Sequence, residues 1–274
     1  MIRFNKEYFN IEDTLFCGQV FRFKPYKNGY LVLSGNKACY LCYDGNDVVI
    51  ESSSDDYFYN YFDLDRDYSE IVDYAVSLGN PFLTEAVIKG KGIRILKQDK
   101  AETVFSFLIS QNNNIPRIKR TIEGLSEKLG EKFTAFDMPW YAFPTALALS
   151  NMSEVFFKSM GLGYRSDYFV QSSKILSDEN FLNGLNELDT ASLREKLLTL
   201  RGVGPKVCDC IMLFGYGKTD CFPVDTWIAK LYKENFKGTI TDRKKISEYF
   251  VGLFNEYSGY VQQYLFHYKR MNNI

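Results

Sequence analysis

The stretch from Leu200 to Trp227, LRGVGPKVCDCIMLFGYGKTDCFPVDTW, limits the possible folds of this chain more than any other. Leu200–Gly204 is a short glycine-rich turn, and Gly204 is expected to take backbone angles closed to other residues. Pro205 suits the first turn of a helix, where its missing N–H has no partner to lose. Lys206 lies in that turn, and Val207, Ile211, Met212 and Phe214 continue the helical pattern until Gly215 and Gly217 end it. Phe222-Pro223-Val224-Asp225 then places an aspartate to cap a helix starting near Trp227, nineteen positions after the lysine. Backbone N–H groups at a helix N-terminus bind phosphate. A lysine amine without its proton attacks carbonyl-like carbon, and a carboxylate beside it stabilises positive charge. Together these groups suit chemistry at a sugar carbon next to a phosphodiester. The plainer alternative is a helix hairpin carrying a surface lysine and an N-cap aspartate.

At 274 residues, 46% of them apolar, the chain can build one large domain or two. A net charge of −1 argues against nucleic acid as a partner, as does a pI near 6.0. The charge is uneven, however. Lys89, Lys91, Arg94 and Lys97 form one basic cluster, Arg117, Lys119 and Arg120 form another, and acid gathers between Asp55 and Asp67. A local basic face can bind phosphates while the rest balances it. No apolar run reaches membrane-spanning length, and MIRFNKEYFNIEDT lacks the apolar core of a signal peptide. A cytoplasmic protein is expected, associated with the nucleoid in a prokaryote, without a membrane partner and monomeric. The six cysteines are expected to be reduced. Cys39-x-x-Cys42 lies inside a strand pattern with no second pair, so no metal site is expected.

In chain order, residues 1–12 read as a lead-in. Residues 13–52 read as an antiparallel meander: Gln19–Phe23, Tyr30–Ser34, Ala38–Tyr43 and Val48–Glu51 alternate or run apolar between turn signals. From about residue 66 the periodicity is helical, beginning with Asp67–Leu78, whose helix is expected to pack across a domain junction. Loops are expected at Gly130–Pro139, Gly161–Tyr164 and Gly215–Pro223. The fold class is α+β: an N-terminal antiparallel β-sheet domain over residues 1–100, then a mainly α-helical domain over 101–274. His267, the lone histidine, reads as a surface residue.

The stretch Leu200–Asp225 resembles the helix-hairpin-helix-GPD superfamily of DNA glycosylases. Members with lysine at the position of Lys206 excise a base through a Schiff base and then cut the strand, which implies Lys206 as nucleophile and Asp225 as the assisting carboxylate. Gly202 and Gly204 would hold a phosphate through backbone N–H groups. The superfamily's hairpins often bind a monovalent cation through carbonyls, which the residues alone do not specify. No cysteine follows Cys221, so the iron–sulfur loop of some members is not expected.

Other segments resemble the 8-oxoguanine glycosylases within that superfamily. Thr14–Phe23, TLFCGQVFRF, is similar to their N-terminal domain, where the glycine matching Gly18 offers its carbonyl to the damaged base. Oxidation turns guanine N7 from an acceptor into a donor, so one carbonyl can tell the two bases apart. Gln111-Asn112-Asn113-Asn114-Ile115-Pro116-Arg117 resembles the family segment whose first asparagine fills the gap left by the flipped nucleotide and whose arginine holds the orphaned cytosine. These roles fall on Asn112 and Arg117, with Asn113 in support. Tyr164 and Arg165 would supply an aromatic wedge and a second arginine. Cys210, one helical turn from Lys206, would lie against the base, and Asp209 would support the hairpin. Gln262 and Phe266, also four apart, would read the Watson–Crick edge and stack on the ring. Trp227 departs from the pattern: eukaryotic relatives carry there a histidine that contacts a phosphate.

The resemblance implies a bifunctional glycosylase/lyase that removes 8-oxoguanine from duplex DNA, opposite cytosine, without a cofactor. A glycosylase for alkylated or ring-opened bases would keep the hairpin and Asp225 but not the base-pocket set. A non-catalytic DNA-binding helical protein would keep the hairpin alone.

Overall fold

Between Gly29 and Ser52 the apolar runs Tyr30–Leu33, Ala38–Tyr43 and Val48–Ile50 are separated by glycine turns, and side chains pointing alternately to the two faces build a sheet with two covered faces. The computed structural model describes residues 1–272. Its antiparallel sheet contains β1 (Ile2–Asn5), β2 (Phe23–Tyr26), β3 (Gly29–Ser34), β4 (Lys37–Asp44) and β5 (Asp47–Ser52), in spatial order β1-β5-β4-β3-β2. Val32 stands opposite Cys39, and Leu41 opposite Ile50. Val32, Cys39, Leu41, Val48 and Ile50 share one core with residues of two short helices, α1 (Ile11–Phe16) and α2 (Asp55–Tyr61). Leu31 and Tyr40 point the other way and bury against Trp140.

The remaining helices are α3 (Tyr68–Ser77), α4 (Pro81–Gly90), α5 (Lys100–Ser110), α6 (Ile115–Leu129), α7 (Ala146–Ser150), α8 (Glu154–Ser159) and α9 (Arg165–Leu176). They continue with α10 (Glu179–Gly184), α11 (Thr190–Leu198), α12 (Pro205–Tyr216), α13 (Thr226–Asn235), α14 (Arg243–Phe254) and α15 (Ser258–Met271). Polar side chains start many of them. Asn80, Asp99, Asn114, Asp189, Asp225 and Asp242 each accept the backbone N–H three residues on, which satisfies donors that a helix start leaves unpaired. Helices α3 and α4 pack on α15 and share one large core with the later helices.

Several expectations are corrected. Residues 1–12 are not a lead-in: Ile2–Asn5 pairs along β5 and closes the sheet edge. Gln19–Arg22 is not a strand, and β2 begins only at Phe23, because the buried Gln19 engages the backbone of α1 and of the segment before α5 instead of a ladder. Its Nε2 donates to the Thr14 and Arg94 carbonyls (3.0 and 2.8 Å), and its Oε1 accepts from Leu96 N (3.0 Å). The expected loop at 130–139 holds a hairpin, β6 (Lys132–Ala135) and β7 (Met138–Tyr141), which delivers Trp140 to the sheet. Helix α12 runs through Gly215, whose missing side chain lets it lie close to Thr103, and ends at left-handed Gly217.

The strained turn glycine is Gly202 and not Gly204. Gly202 has φ +86°, and a Cβ there would stand 2.4 Å from the Tyr168 ring, whereas Gly204 has φ −91° and caps α12. Gly202→Ala is therefore expected to cost at least about 2 kcal/mol, from left-handed strain plus the clash. Urea unfolding measures this, and an unchanged midpoint would show that the turn does not lie against Tyr168.

Candidate active site

Five parts of the chain meet at one cleft. It is lined by Cys17 and Gly18 after α1, Phe107 of α5, Lys206, Cys210 and Phe214 of α12, Pro223 and Asp225 before α13, and Gln262, Gln263 and Phe266 of α15. The space between these residues, open to solvent, is about 340 Å³.

Local geometry explains the convergence. Lys206, Cys210 and Phe214 follow at intervals of four and so share a face of α12, and Gln262 and Phe266 do the same on α15. Phe214 stacks on Phe107, with centroids 5.5 Å apart and planes at 14°, which joins α12 to α5. The Lys206 ammonium lies 5.4 Å from the centre of the Phe107 ring. Asp225 caps α13, accepting from Ile228 N at 2.9 Å, so that α13 begins at Thr226, one residue earlier than expected. Gly18 has φ +89°, a region that favours glycine, and Phe266 and Arg270 lie 3.8 Å from where its Cβ would be. Arg270 donates to the Phe16 carbonyl at 3.0 Å and holds this turn against α15.

The electrostatics suit an uncharged base. Burial pushes the Cys210 thiol up to about 11; the Lys206 ammonium works against the rise, while Asp209 and Asp225 add to it. Cys210 therefore remains a neutral, soft wall at ordinary pH. Gln262 is 3% exposed; its Nε2 donates to the Pro223 carbonyl (3.1 Å) and its Oε1 accepts from Gln263 Nε2 (2.9 Å). Asp209 is buried in an ion pair with Arg194 of α11, which fixes the start of α12 from behind.

A second group surrounds the junction of α5, α6 and α9. Asn112 is exposed with φ +44°, a conformation asparagine tolerates better than most residues. Asn113 Nδ2 donates to Ile109 O at 3.0 Å, and Asn114 caps α6, so that Pro116 is its second residue. Tyr164 is 52% exposed and leans edge-on to Tyr168, the ring that covers Gly202. Arg201 Nε bonds Asp167 at 2.9 Å, and Ser172 Oγ donates to the Arg201 carbonyl at 3.2 Å. The Gly202 turn, the Tyr164 loop and the asparagine turn are thus continuous. Asn112 follows Phe107 by five residues, so it lies within ~18 Å of the cleft wall.

The two arginines differ. Arg117 is exposed and donates to Gly161 O at 2.9 Å. Arg165 is 4% exposed, and its guanidinium is engaged by the carbonyls of Gln111, Asn112 and Leu162. In this structure it braces the asparagine turn and is not presented to an opposite base.

The first basic cluster does not form a free face. Arg94 is fully buried, donates to the Phe62 carbonyl at 3.1 Å and packs 3.6 Å from the centre of the Tyr68 ring. Lys89, Lys91 and Lys97 pair with Glu85, Glu7 and Asp63. In the second cluster, Lys119 is half-buried over Phe23, while Arg117 and Arg120 are exposed. His267 is not a surface residue: its side chain is 12% exposed, and Nε2 lies 3.3 Å from Asp13. Trp227 is 37% exposed in the first turn of α13.

Five lining residues were not among the expected site residues: Cys17, Phe107, Phe214, Pro223 and Gln263. Phe214, four after Cys210, was accessible from helical spacing; Phe107 and Gln263 carried no local signal. Among the described residues, no group of three or more His, Cys, Asp or Glu side chains is arranged to hold a metal, and no helix is long and apolar enough to cross a membrane.

A lysine and a carboxylate in one cleft, beside a glycine hairpin and an exposed aromatic, fit a base-excising enzyme of the glycosylase/lyase type. Residues 1–104 match the family described as 8-oxoguanine DNA glycosylase, N-terminal domain. A probable N-glycosylase/DNA lyase of Methanothermobacter thermautotrophicus is 31% identical over 233 residues, 78% of this chain and 74% of that protein. The N-glycosylase/DNA lyase of Saccharomyces cerevisiae is 33% identical over 56% of this chain and 44% of its own length, so less than half of the yeast protein is matched. A Clostridium acetobutylicum 8-oxoguanine glycosylase/lyase, solved with double-stranded DNA containing cytosine opposite 8-oxoG, has a TM-score of 0.91 at 38% identity, covering 98% of this chain and 94% of that one. The chain belongs to the family of 8-oxoguanine DNA glycosylase/lyases.

Proposed function

We propose that the protein removes 8-oxoguanine from duplex DNA, opposite cytosine, and cuts the strand at the resulting site. The observation that carries this reading is the meeting of Lys206, Asp225, Gly18, Cys210, Gln262 and Phe266 at one cleft.

The lesion nucleotide leaves the stack, at a cost in unstacking, and enters the cleft. Asn112 and Tyr164 fill the gap, Asn113 supports their turn, and Arg117 meets the orphaned cytosine. Arg165 joins it by exchanging its carbonyl partners for cytosine acceptors. Gly18, Cys210, Gln262 and Phe266 surround the base. Lys206, having lost its proton, forms a bond to C1′ while the bond from C1′ to the base nitrogen breaks, and the base leaves with a proton. Asp225 stabilises the positive charge on the sugar. Opening of the sugar ring gives an imine between Lys206 and C1′. The imine acidifies C2′; loss of a C2′ proton expels the 3′ phosphate oxygen and cuts the strand. The backbone N–H groups of Gly202 and Gly204 hold a phosphate throughout. A monovalent cation at the hairpin would use the carbonyls of Leu200 and Arg201. Each accepts one hydrogen bond, from Val203 N and Ser172 Oγ, and retains a second lone pair. No step passes through that ion.

Incubation with duplexes bearing 8-oxoguanine, alkylated or ring-opened bases, scored for base release and strand cleavage, tests the reading. Preferred release of 8-oxoguanine supports it, and preferred release of another lesion overturns it. Gln262→Ala and Phe266→Ala should each lower 8-oxoguanine excision by roughly tenfold or more, the scale of one lost hydrogen bond or one lost stacking contact. Cleavage of a preformed abasic site should stay close to wild type, because no base is there to be held. Equal losses on both substrates would assign the two residues to folding or general DNA binding.

A further inference from the structure

Two adjacent glutamines of α15 line the cleft, and only Gln262 has a role so far. A primary amide can turn over and exchange its oxygen for its nitrogen, which changes what it reads. Gln262 is tied at both ends: Nε2 donates to the Pro223 carbonyl at 3.1 Å, and Oε1 accepts from Gln263 Nε2 at 2.9 Å. The first bond links the amide to the loop that ends in Asp225. The second leaves Gln262 Oε1 with one lone pair. Gln263 is itself 4% exposed, and its Oε1 is buried without a hydrogen-bond partner among the described residues. An unmet buried acceptor is unfavourable, and a ligand that brings a donor relieves it.

We propose that Gln263 is a second specificity-determining residue for the base: it holds the Gln262 amide in one orientation and offers its own Oε1 to the 2-amino group of the guanine edge. The proposal rests on the reading that an oxidised guanine enters this cleft. The Watson–Crick edge of that base carries two kinds of donor, N1–H and the 2-amino group. Gln262 Oε1 and Gln263 Oε1 are two acceptors to match them. A base without the 2-amino group leaves one of them unmet.

Single-turnover excision by wild type and Gln263→Leu, on duplexes with 8-oxoguanine or 8-oxohypoxanthine, tests this. The second base is the same ring system without the 2-amino group. Leucine keeps the volume and removes both the donor and the acceptor. Excision of 8-oxoguanine should fall about tenfold, and that of 8-oxohypoxanthine by clearly less, so that the wild-type preference narrows. Cleavage of a preformed abasic site should be unchanged, which also reports an intact fold. Equal losses on both bases, loss of abasic cleavage, or no loss at all would overturn the assignment. A wild-type protein inert on 8-oxoguanine would instead sink the reading beneath it.

Discussion

Replacing Lys206 by glutamine should lower base release from an 8-oxoguanine duplex by roughly 10⁴-fold or more, the scale on which loss of a nucleophile acts in other covalent enzymes. Glutamine is close in length and polar, so the cleft between Phe107 and Cys210 should keep its shape and lesion binding should change little. What disappears is the amine, and with it every step that follows its bond to C1′. Gel-shift affinity and single-turnover excision, measured side by side, separate the two effects. Substantial base release by the variant would mean that water attacks with help from Asp225.

Asp225→Asn is expected to act differently. The carboxylate both caps α13 and faces the cleft. Asparagine is an equally good cap, so α13 should persist and melting should shift little. The positive charge developing on the sugar loses its counter-charge, and excision should fall by roughly 10²–10³-fold, as when other preorganised electrostatic groups are removed. Lys206 is still present, so a small amount of covalent intermediate should persist. A variant as fast as wild type would leave Asp225 with capping alone.

The elements read correctly from sequence were those with a strong local period. The β3–β5 meander shows as apolar runs between glycine turns, and α12 is bracketed by Pro205 and a left-handed glycine. β1 was missed because the alternation Ile2-Arg3-Phe4-Asn5 is only four residues long; its role comes from pairing with β5. Gln19 looked like a strand residue because its neighbours are apolar, yet its amide ties α1 to the segment between α4 and α5. Spacing placed Lys206 with Cys210 and Gln262 with Phe266, since one helical turn needs only local sequence. Phe107 reaches the same cleft from a separate segment, and only the packing of α5 on α12 shows it, whereas Gly18 came from the family resemblance and from no local pattern. Charge was the weakest guide. Arg94 and Arg165 looked available for phosphates and bases, but both are buried with their donors on backbone carbonyls.

The central claim is that catalysis passes through a bond between Lys206 and C1′. Sodium borohydride added during turnover of an 8-oxoguanine duplex reduces an imine to a stable amine, and mass spectrometry of the digested adduct locates the attachment. The expected result is one DNA adduct per active enzyme, attached at Lys206. Base release without any adduct, or attachment at another residue, would contradict it.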